Sequence, residues 1–589
     1  MTRVGKMTTW NVGVGLTALL AAPAFAQVTP TREEVQRTPP APIAPERLEI
    51  DSEEDGIERA PCALANPEFA AIRFTLRSVE FSDSENIDPA LLSPSWSRLV
   101  GTEVPVAAIC EIRDQAATAL RRAGYLAAVQ VPEQRIENGV VRLDILAARL
   151  TGLQVRGDAG PNEGQLARHL TNLEGQPLFN ARQAERYLLL ANSIPGMSAR
   201  LTLRPTGNPG DVVGEVIVDR TRMAIDFSAQ NYGSTSVGRI GGIARARFFG
   251  LTGLADETSF GVYSTLDTDE QQVVQAGHNF RLGGDGLTVG SDFTYAWTRP
   301  TLPGNVPIRS ETLVGSLYAR YPLVLRQTAI TTIGAGFDWI DQDVRLAALP
   351  VTLDKLRVAW ARIDASWIDP AALTGRGGYT PAEPRWQAST MLEARQGIGI
   401  LGASQGCRTN PLVCFAPGVV PVSRVEADTT ALVLRAQADV AVRPVPLITF
   451  AASARGQYAA RPLLSYEEFS GGNFTIGRGY DPGTVIGDSG AGLSVEMRVG
   501  SGVPRSRDMI IIQPFGFVDA LWVWNEDTSF AGLDPQRLVS AGGGIRAMWG
   551  DRARLEVAIA EPLRAAGLVP FRPDTRLLIS LTTQFGVRR

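Results

Sequence analysis

Three short stretches carry residue types that could do chemistry. Gly487-Asp488-Ser489-Gly490 has the spelling found around a serine-protease nucleophile, Gly402-Ala403-Ser404-Gln405-Gly406 that of a nucleophile elbow, and Gly477, Gly479 and Gly483 hint at a phosphate loop. A nucleophilic serine needs a histidine base and a supporting acid, and the chain's two histidines, His169 and His278, stand in no recognisable site. The elbow requires a strand-to-helix turn, whereas Ser404 adjoins the short segment between Cys407 and Cys414. No helix pattern and no Lys-Ser/Thr pair follows the glycines, as a nucleotide loop requires. No enzyme activity and no cofactor are expected. No metal is expected either, because both histidines lie far from any cysteine pair. His169 is expected on a solvated helix surface.

The chain of 589 residues has a formal charge of −4, which gives no reason to expect a nucleic-acid partner. Arg3 and Lys6, the apolar stretch Val12 to Ala22 and the small-x-small site Ala24-Phe25-Ala26 read as a signal peptide over 1–26. Export places the cysteines in an oxidising space. They fall into two neighbourhoods, Cys62 with Cys110 and Cys407 with Cys414, and the spacing suits two disulfides. Hydrophobic content is 44%, yet after residue 26 no window is apolar enough for a transmembrane helix, which leaves a soluble exported protein or an outer-membrane barrel.

Residues 27–71 form a proline-rich, acidic lead-in, expected to be mobile, with at most a short helix around Thr31 to Arg37. Two small α+β modules follow, at 72–148 and 149–220. The first contains a helix placing Ile109, Ile112, Ala116 and Leu120 near one face and ending at Gly124. The second has two helical stretches, "NEGQLARHLTNLEGQ" and "FNARQAERYLLLANSI", between strand-like ones. From 221 to 589 long alternating strands dominate. Met223, Ile225, Phe227 and Ala229 oppose Ala224, Asp226, Ser228 and Gln230, and Thr449, Ser453, Arg455 and Gln457 share a face. Tyr295, Trp297, Trp522 and Trp524 fall near strand ends, as an aromatic girdle requires, and ~370 residues at ~23 per strand and connection give about 16 strands. Phe585 is read as the terminal aromatic of the last strand.

With these elements in place, the chain resembles the two-partner secretion translocators, or hemolysin secretion/activation proteins. "RRAGYLAAVQVPEQRIENGVVRLDIL" and "GQPLFNARQAERYLLLANSIPGMSARLTLRP" are similar to segments of that family's POTRA modules, and "FSGGNFTIGRGY" and "PFGFVDALW" to its barrel motifs. The resemblance implies a loop around 471–490 that folds into the barrel, with Arg478, Gly479 and Tyr480 as its tip and Phe517 and Asp519 on a barrel strand, Arg478 pairing with Asp519. Gly477 departs from the family, which usually has Val there. Phe515, Phe517 and Asp519 share one strand face, so an inward Asp519 brings both rings against the loop.

The resemblance further implies an outer-membrane translocator with periplasmic POTRA modules, in contact with outer-membrane lipids, whose partner is a large exoprotein captured unfolded by its amino-terminal secretion domain. The expected capture surface is Leu188, Leu190, Ile194 and Met197 in the second module, acting by strand addition or as an apolar groove. An insertase of barrel proteins and a diffusion porin are the alternatives.

Overall fold

The structure, a computed structural model, describes residues 30–36, 50–52, 62–174, 176–208, 210–301, 304, 306–408, 410–527, 534–567 and 571–588. The signal peptide expected over 1–26 and much of the lead-in lie outside these residues. Helix α1 (Arg32–Val35) and strand β1 (Ile50–Ser52) come first. The first module comprises β2 (Arg73–Thr75), β3 (Ser78–Ser82), α2 (Pro89–Leu92), β4 (Glu103–Pro105), α3 (Ala108–Ala123), β5 (Ala127–Gln130) and β6 (Val140–Ala147). Helix α3 is rich in alanine and arginine, both good helix formers, and stops where Gly124 adopts φ +95°, a left-handed cap that a side chain disfavours. Its buried face is Ile109, Ile112, Ala116 and Leu120, packed on Val141, Leu143 and Ile145 of β6. Cys62 is joined to Cys110 on α3, which ties the end of the lead-in to the module.

The second module comprises β7 (Arg149–Gly157), α4 (Glu163–Glu174), α5 (Ala181–Asn192), β8 (Met197–Pro205) and the first half of β9 (Asp211–Gln230). No linker separates module from barrel, because β9 pairs with β7 and β8 through its first half and with barrel strands from Thr221 onward. Two expectations are corrected by this packing. Leu188, Leu190, Ile194 and Met197 are all buried: Leu188 on α5, Ile194 just after it and Met197 on β8 pack in the module's own core with Leu166, Leu170 and Leu201, while Leu190 lies against the barrel turn at Gly286, so the four offer no exposed capture surface. His169 on α4 is fully buried at the junction with the barrel rather than solvated, its Nδ1 2.9 Å from the Gly284 carbonyl, and burial pushes its pKa down.

Sixteen antiparallel strands close the barrel. They are β9, β10 (Gly241–Phe249), β11 (Glu257–Thr265), β12 (Gln271–Leu282), β13 (Leu287–Thr298), β14 (Ile308–Arg326), β15 (Ala329–Leu346), β16 (Leu349–Ile368), β17 (Trp386–Gly397), β18 (Leu432–Val445), β19 (Ile448–Ala459), β22 (Ser489–Val499), β23 (Ile510–Trp524), β24 (Gln536–Trp549), β25 (Ala553–Pro562) and β26 (Arg576–Arg588). Between β19 and β22 lies a two-stranded ribbon, β20 (Phe469–Gly471) with β21 (Val485–Gly487). Closure by β26 on β9, from Ser580 opposite Gln230 to Arg588 opposite Thr221, leaves no free edge in the hydrocarbon. Outward side chains such as Ile225, Phe227, Phe260, Val262 and Leu317 are apolar and exposed to lipid. Trp297 and Trp522 face outward at the outer ends of β13 and β23, and Trp367, Trp386 and Trp549 at the periplasmic ends of β16, β17 and β24, which makes two girdles. Phe585 also faces outward, at the inner end of β26.

Part of the lead-in departs from the expected mobility. Thr31 Oγ1 accepts from the Glu34 amide, and Glu34 accepts from the Thr31 amide, a capping box that closes the single turn of α1. Val35 is buried inside the barrel with Val273, Ala296, Val314 and Ile340, and Ser470 donates to Glu33 at 2.8 Å. An apolar residue gains by leaving water, and the lumen wall offers Val35 that burial.

The outer segment between β17 and β18 carries the disulfide Cys407–Cys414 on helix α6 (Pro411–Cys414), with Arg408 exposed between the cysteines. Trypsin applied to intact cells should therefore cut at Arg408 and spare 72–220. The two fragments should separate on a gel only after reduction, and digestion of the modules without cutting at Arg408 would reverse the topology.

Candidate functional site

The segment 460–488 leaves β19 on the outer side and turns back into the lumen. Its conformation depends on glycine at two points. Gly477 has φ +122°, and a β-carbon there would stand 2.5 Å from Leu538 Cδ1. Gly479 is pressed against the wall, where a β-carbon would meet Ser540 Cβ at 2.8 Å and the Pro562 nitrogen at 3.0 Å. These approaches set the Arg478 side chain against β22 and β23 and the Tyr480 ring against β23 and β24. Tyr480 is fully buried with Ile476, Leu521 and Leu538, its hydroxyl 2.8 and 3.0 Å from the carbonyls of Val539 and Arg564.

Arg478 meets Asp519 in three hydrogen bonds: its Nε donates to Oδ2 at 3.0 Å, Nη2 to Oδ1 at 2.9 Å, and its own backbone amide to Oδ2 at 3.0 Å. Nη1 donates to Glu496 at 2.8 Å and Nη2 to Ser494 at 3.0 Å. The guanidinium carbon lies 3.5 Å from the centre of the Phe517 ring. Strand register makes this possible, since Ser494 is opposite Asp519 and Glu496 opposite Phe517 in the β22–β23 pair. One planar cation thus has a two-point carboxylate, a second carboxylate and an aromatic face, which lysine could not match. Burial works against the Arg478 charge, but hydrogen bonds to Asp519 and Glu496 outweigh it and hold the guanidinium above its ordinary pKa.

The motif residues sit in a larger network that sequence reasoning did not find. Arg546 on β24 donates to Glu496 at 2.5 and 3.0 Å and to Glu556 at 2.6 Å, stacks 3.9 Å from the Phe515 ring, and so repeats the Arg478–Phe517 arrangement one step along the wall. Arg498 donates to Glu496 at 2.6 Å. Period two puts Ser494, Glu496 and Arg498 on one face, but only register shows what they touch. Below this network lies a chamber of about 530 Å³, lined by Asp439, Ser453, Arg455, Arg478, Glu496 and Glu556 among others, with both signs of charge and several hydroxyls.

Two further clusters hold the base of the loop. Arg395 bonds Asp338 and Glu467 at 2.8 Å each, and Arg435 reaches Glu467 at 2.6 Å. Arg424, from the segment between β17 and β18, bonds Glu468 at 2.6 Å, Asp488 at 2.7 Å and also Asp527. Asp488 accepts the Leu463 and Glu526 amides as well, and Ser489 Oγ accepts the Ala459 amide. The aspartate and serine of the protease-like tetrapeptide are therefore buried loop anchors. Ser404, from the elbow-like stretch, accepts the Lys355 amide at 2.9 Å and ties the outer segment to β16. His278 bonds Thr258 on the neighbouring strand.

Truncating one partner of a buried pair leaves the other charge uncompensated, at a cost of about 3–5 kcal/mol. Arg478→Ala and Asp519→Ala should each lower the thermal stability of the barrel in detergent and sharply reduce export, with the double variant no worse than the poorer single one; wild-type export in all three would mean the pair has no role. Stability should also depend on pH. Burial, with Asp488, Asp527 and Asp354 nearby and Arg424 opposing, pushes the Glu468 carboxyl up from 4.5 to about 7. A carboxyl raised in the folded state stabilises it fully below its unfolded value, and that contribution is lost as pH rises through about 7. Wild-type thermal stability should fall between about pH 5 and about pH 8 by on the order of 1–3 kcal/mol, and Glu468→Gln should flatten that fall; an unchanged profile would assign the proton elsewhere.

Comparison with known proteins places this geometry. Residues 215–547 match the family model described as haemolysin secretion/activation protein ShlB/FhaC/HecB, and residues 74–147 match the ShlB-type POTRA domain. No curated protein matches the chain. Among solved structures it is similar to CdiB from Escherichia coli, with a TM-score of 0.68 and 15% identity over 98% of this chain and 100% of that one. It is also similar to CdiB from Acinetobacter baumannii, with a TM-score of 0.63 and 14% identity over 98% and 100%. At these identities the likeness is one of fold. The family match, by contrast, spans more than half of the chain and includes the whole inward loop, Arg478 and Asp519. The chain belongs to the haemolysin secretion/activation protein family, the outer-membrane translocators of two-partner secretion.

Proposed function

We propose that the protein exports one large exoprotein, captured unfolded in the periplasm and passed through the barrel lumen past the loop that carries Arg478. The observation that carries this reading is the chamber under the loop, whose charges of both signs and hydroxyls suit a polypeptide backbone and varied side chains rather than one small solute. The unit at 149–220 acts as a second POTRA module beside the matched one. Capture uses strand addition, which reads backbone and makes little demand on side chains. The edge of β8 supports this mode, since β1 adds to it in parallel, with Ile50 opposite Leu201 and Ser52 opposite Leu203. Direction then comes from folding of the passenger outside. Arg478, Gly479, Tyr480, Phe517 and Asp519 hold the loop at the passage and touch no reacting group.

Deleting the gene tests the reading. One large protein should vanish from the medium while other barrel proteins keep their levels in the outer membrane. Loss of many barrel proteins from the membrane would replace export with barrel insertion, and loss of neither would leave a diffusion porin.

A further inference from the structure

Asp481 follows the Arg478-Gly479-Tyr480 tip and points away from the wall that Arg478 uses. Its Oδ1 lies 2.8 Å from Arg576 Nη1 on β26 and 3.6 Å from Arg239 Nη1, and its Oδ2 accepts from the amide and hydroxyl of Thr235 at 3.3 Å each. Thr235 and Arg239 belong to the outer turn that joins β9 to β10. One carboxylate of the inward loop therefore touches both sides of the seam where the last barrel strand closes on the first.

The seam needs help at this end. The β9–β26 ladder stops at Gln230 opposite Ser580; past it one backbone bond remains, from the Asn231 amide to the Ile579 carbonyl at 3.1 Å, and Arg576 to Leu578 run on with no β9 backbone beside them. Unpaired backbone groups are costly near the hydrocarbon, and side chains take over the pairing. Asn231 Oδ1 accepts the Ile579 amide at 2.7 Å, Asn231 Nδ2 donates to the Leu577 carbonyl at 2.7 Å, and Arg576 donates to the Gly233 carbonyl at 3.3 Å. The loop adds contacts of its own to the same turn. Asn473 donates to the Tyr232 carbonyl at 3.4 Å, and the Phe474 and Tyr232 rings meet edge to face at 6.4 Å.

We propose that Asp481 is the clasp of the barrel seam: the inward loop, seated by Arg478 on Asp519, holds the outer end of the β9–β26 closure shut. Unseating the loop and loosening the seam are then one transition, and a passenger chain in the lumen is kept from leaving sideways into lipid. Asp481 is a positioning residue, acting through Arg576 and Thr235.

Hydrogen exchange on the purified full-length protein in lipid nanodiscs tests this. Asp481→Asn should raise exchange of the amides at 576–580 by about tenfold or more while those at 333–340, on β15, stay at the wild-type rate, and Arg576→Gln should do the same. A covalent lock across the seam, Ser228→Cys with Thr582→Cys, whose parent hydroxyls lie 3.2 Å apart, should restore protection at 576–580 in the Asp481→Asn background. Unchanged exchange at 576–580, an equal rise at 333–340, or failure of the lock to restore protection would each overturn the clasp. None of these readings depends on which protein is exported.

Discussion

The lumen of a sixteen-stranded barrel is wider than its own inward side chains can fill, so something must occupy it or water will. In this chain the main occupant is the segment 460–488, joined by α1 through Val35 and Glu33, and the segment's position depends on one guanidinium. Arg478 has both faces of its chemistry satisfied at once: the edge by Asp519, Glu496 and Ser494, the flat face by Phe517. A lone charge in that half-dry space would be expelled. Paired and stacked, it becomes the point about which the loop is hung.

The remaining charges obey the same logic. Each inward strand face carries polar residues because it faces a cavity, and each buried charge has to find its opposite. The wall solves this with ladders in which an arginine from one strand or loop bridges carboxylates from others: Arg546 between Glu496 and Glu556, Arg395 between Asp338 and Glu467. Arg424 joins two loops, one anchored through Glu468 and Asp488, the other through Asp527. A loop fixed at its tip and its base by separate clusters is stiff where it crosses the passage. At the periplasmic end β9 is comparably direct, since its uninterrupted run from module to barrel passes orientation from one to the other without a hinge.

Several elements were legible because the pattern that specifies them is local. Ile109, Ile112, Ala116 and Leu120 recur at helical spacing and are the buried face of α3. Alternation at period two separated Phe227 from Asp226 and Val495 from Glu496, which is enough to tell lipid from lumen. The resemblance supplied the pairing of Arg478 with Asp519. The same local reading misled around α5, where apolar residues taken as a docking surface are buried in their own module's core and, at Leu190, against the barrel, and at His169, which a neighbouring turn of the barrel covers. Amphipathic spacing says that a face will be buried; it does not say against what.

The order of residues alone therefore determined the kind of object this is: strands alternating at period two, outward aromatics near their ends and two small α+β modules ahead of them. Who faces whom across the lumen was decided only by register and closure. Glu496 and Arg546 meet because β22, β23 and β24 are staggered as they are, and Asp481 reaches both Arg576 and Thr235 because the last strand returns to the first. Period two is a property of neighbours in sequence, whereas register is set by the sum of many pairings around a closed ring, and no short stretch of chain contains that sum.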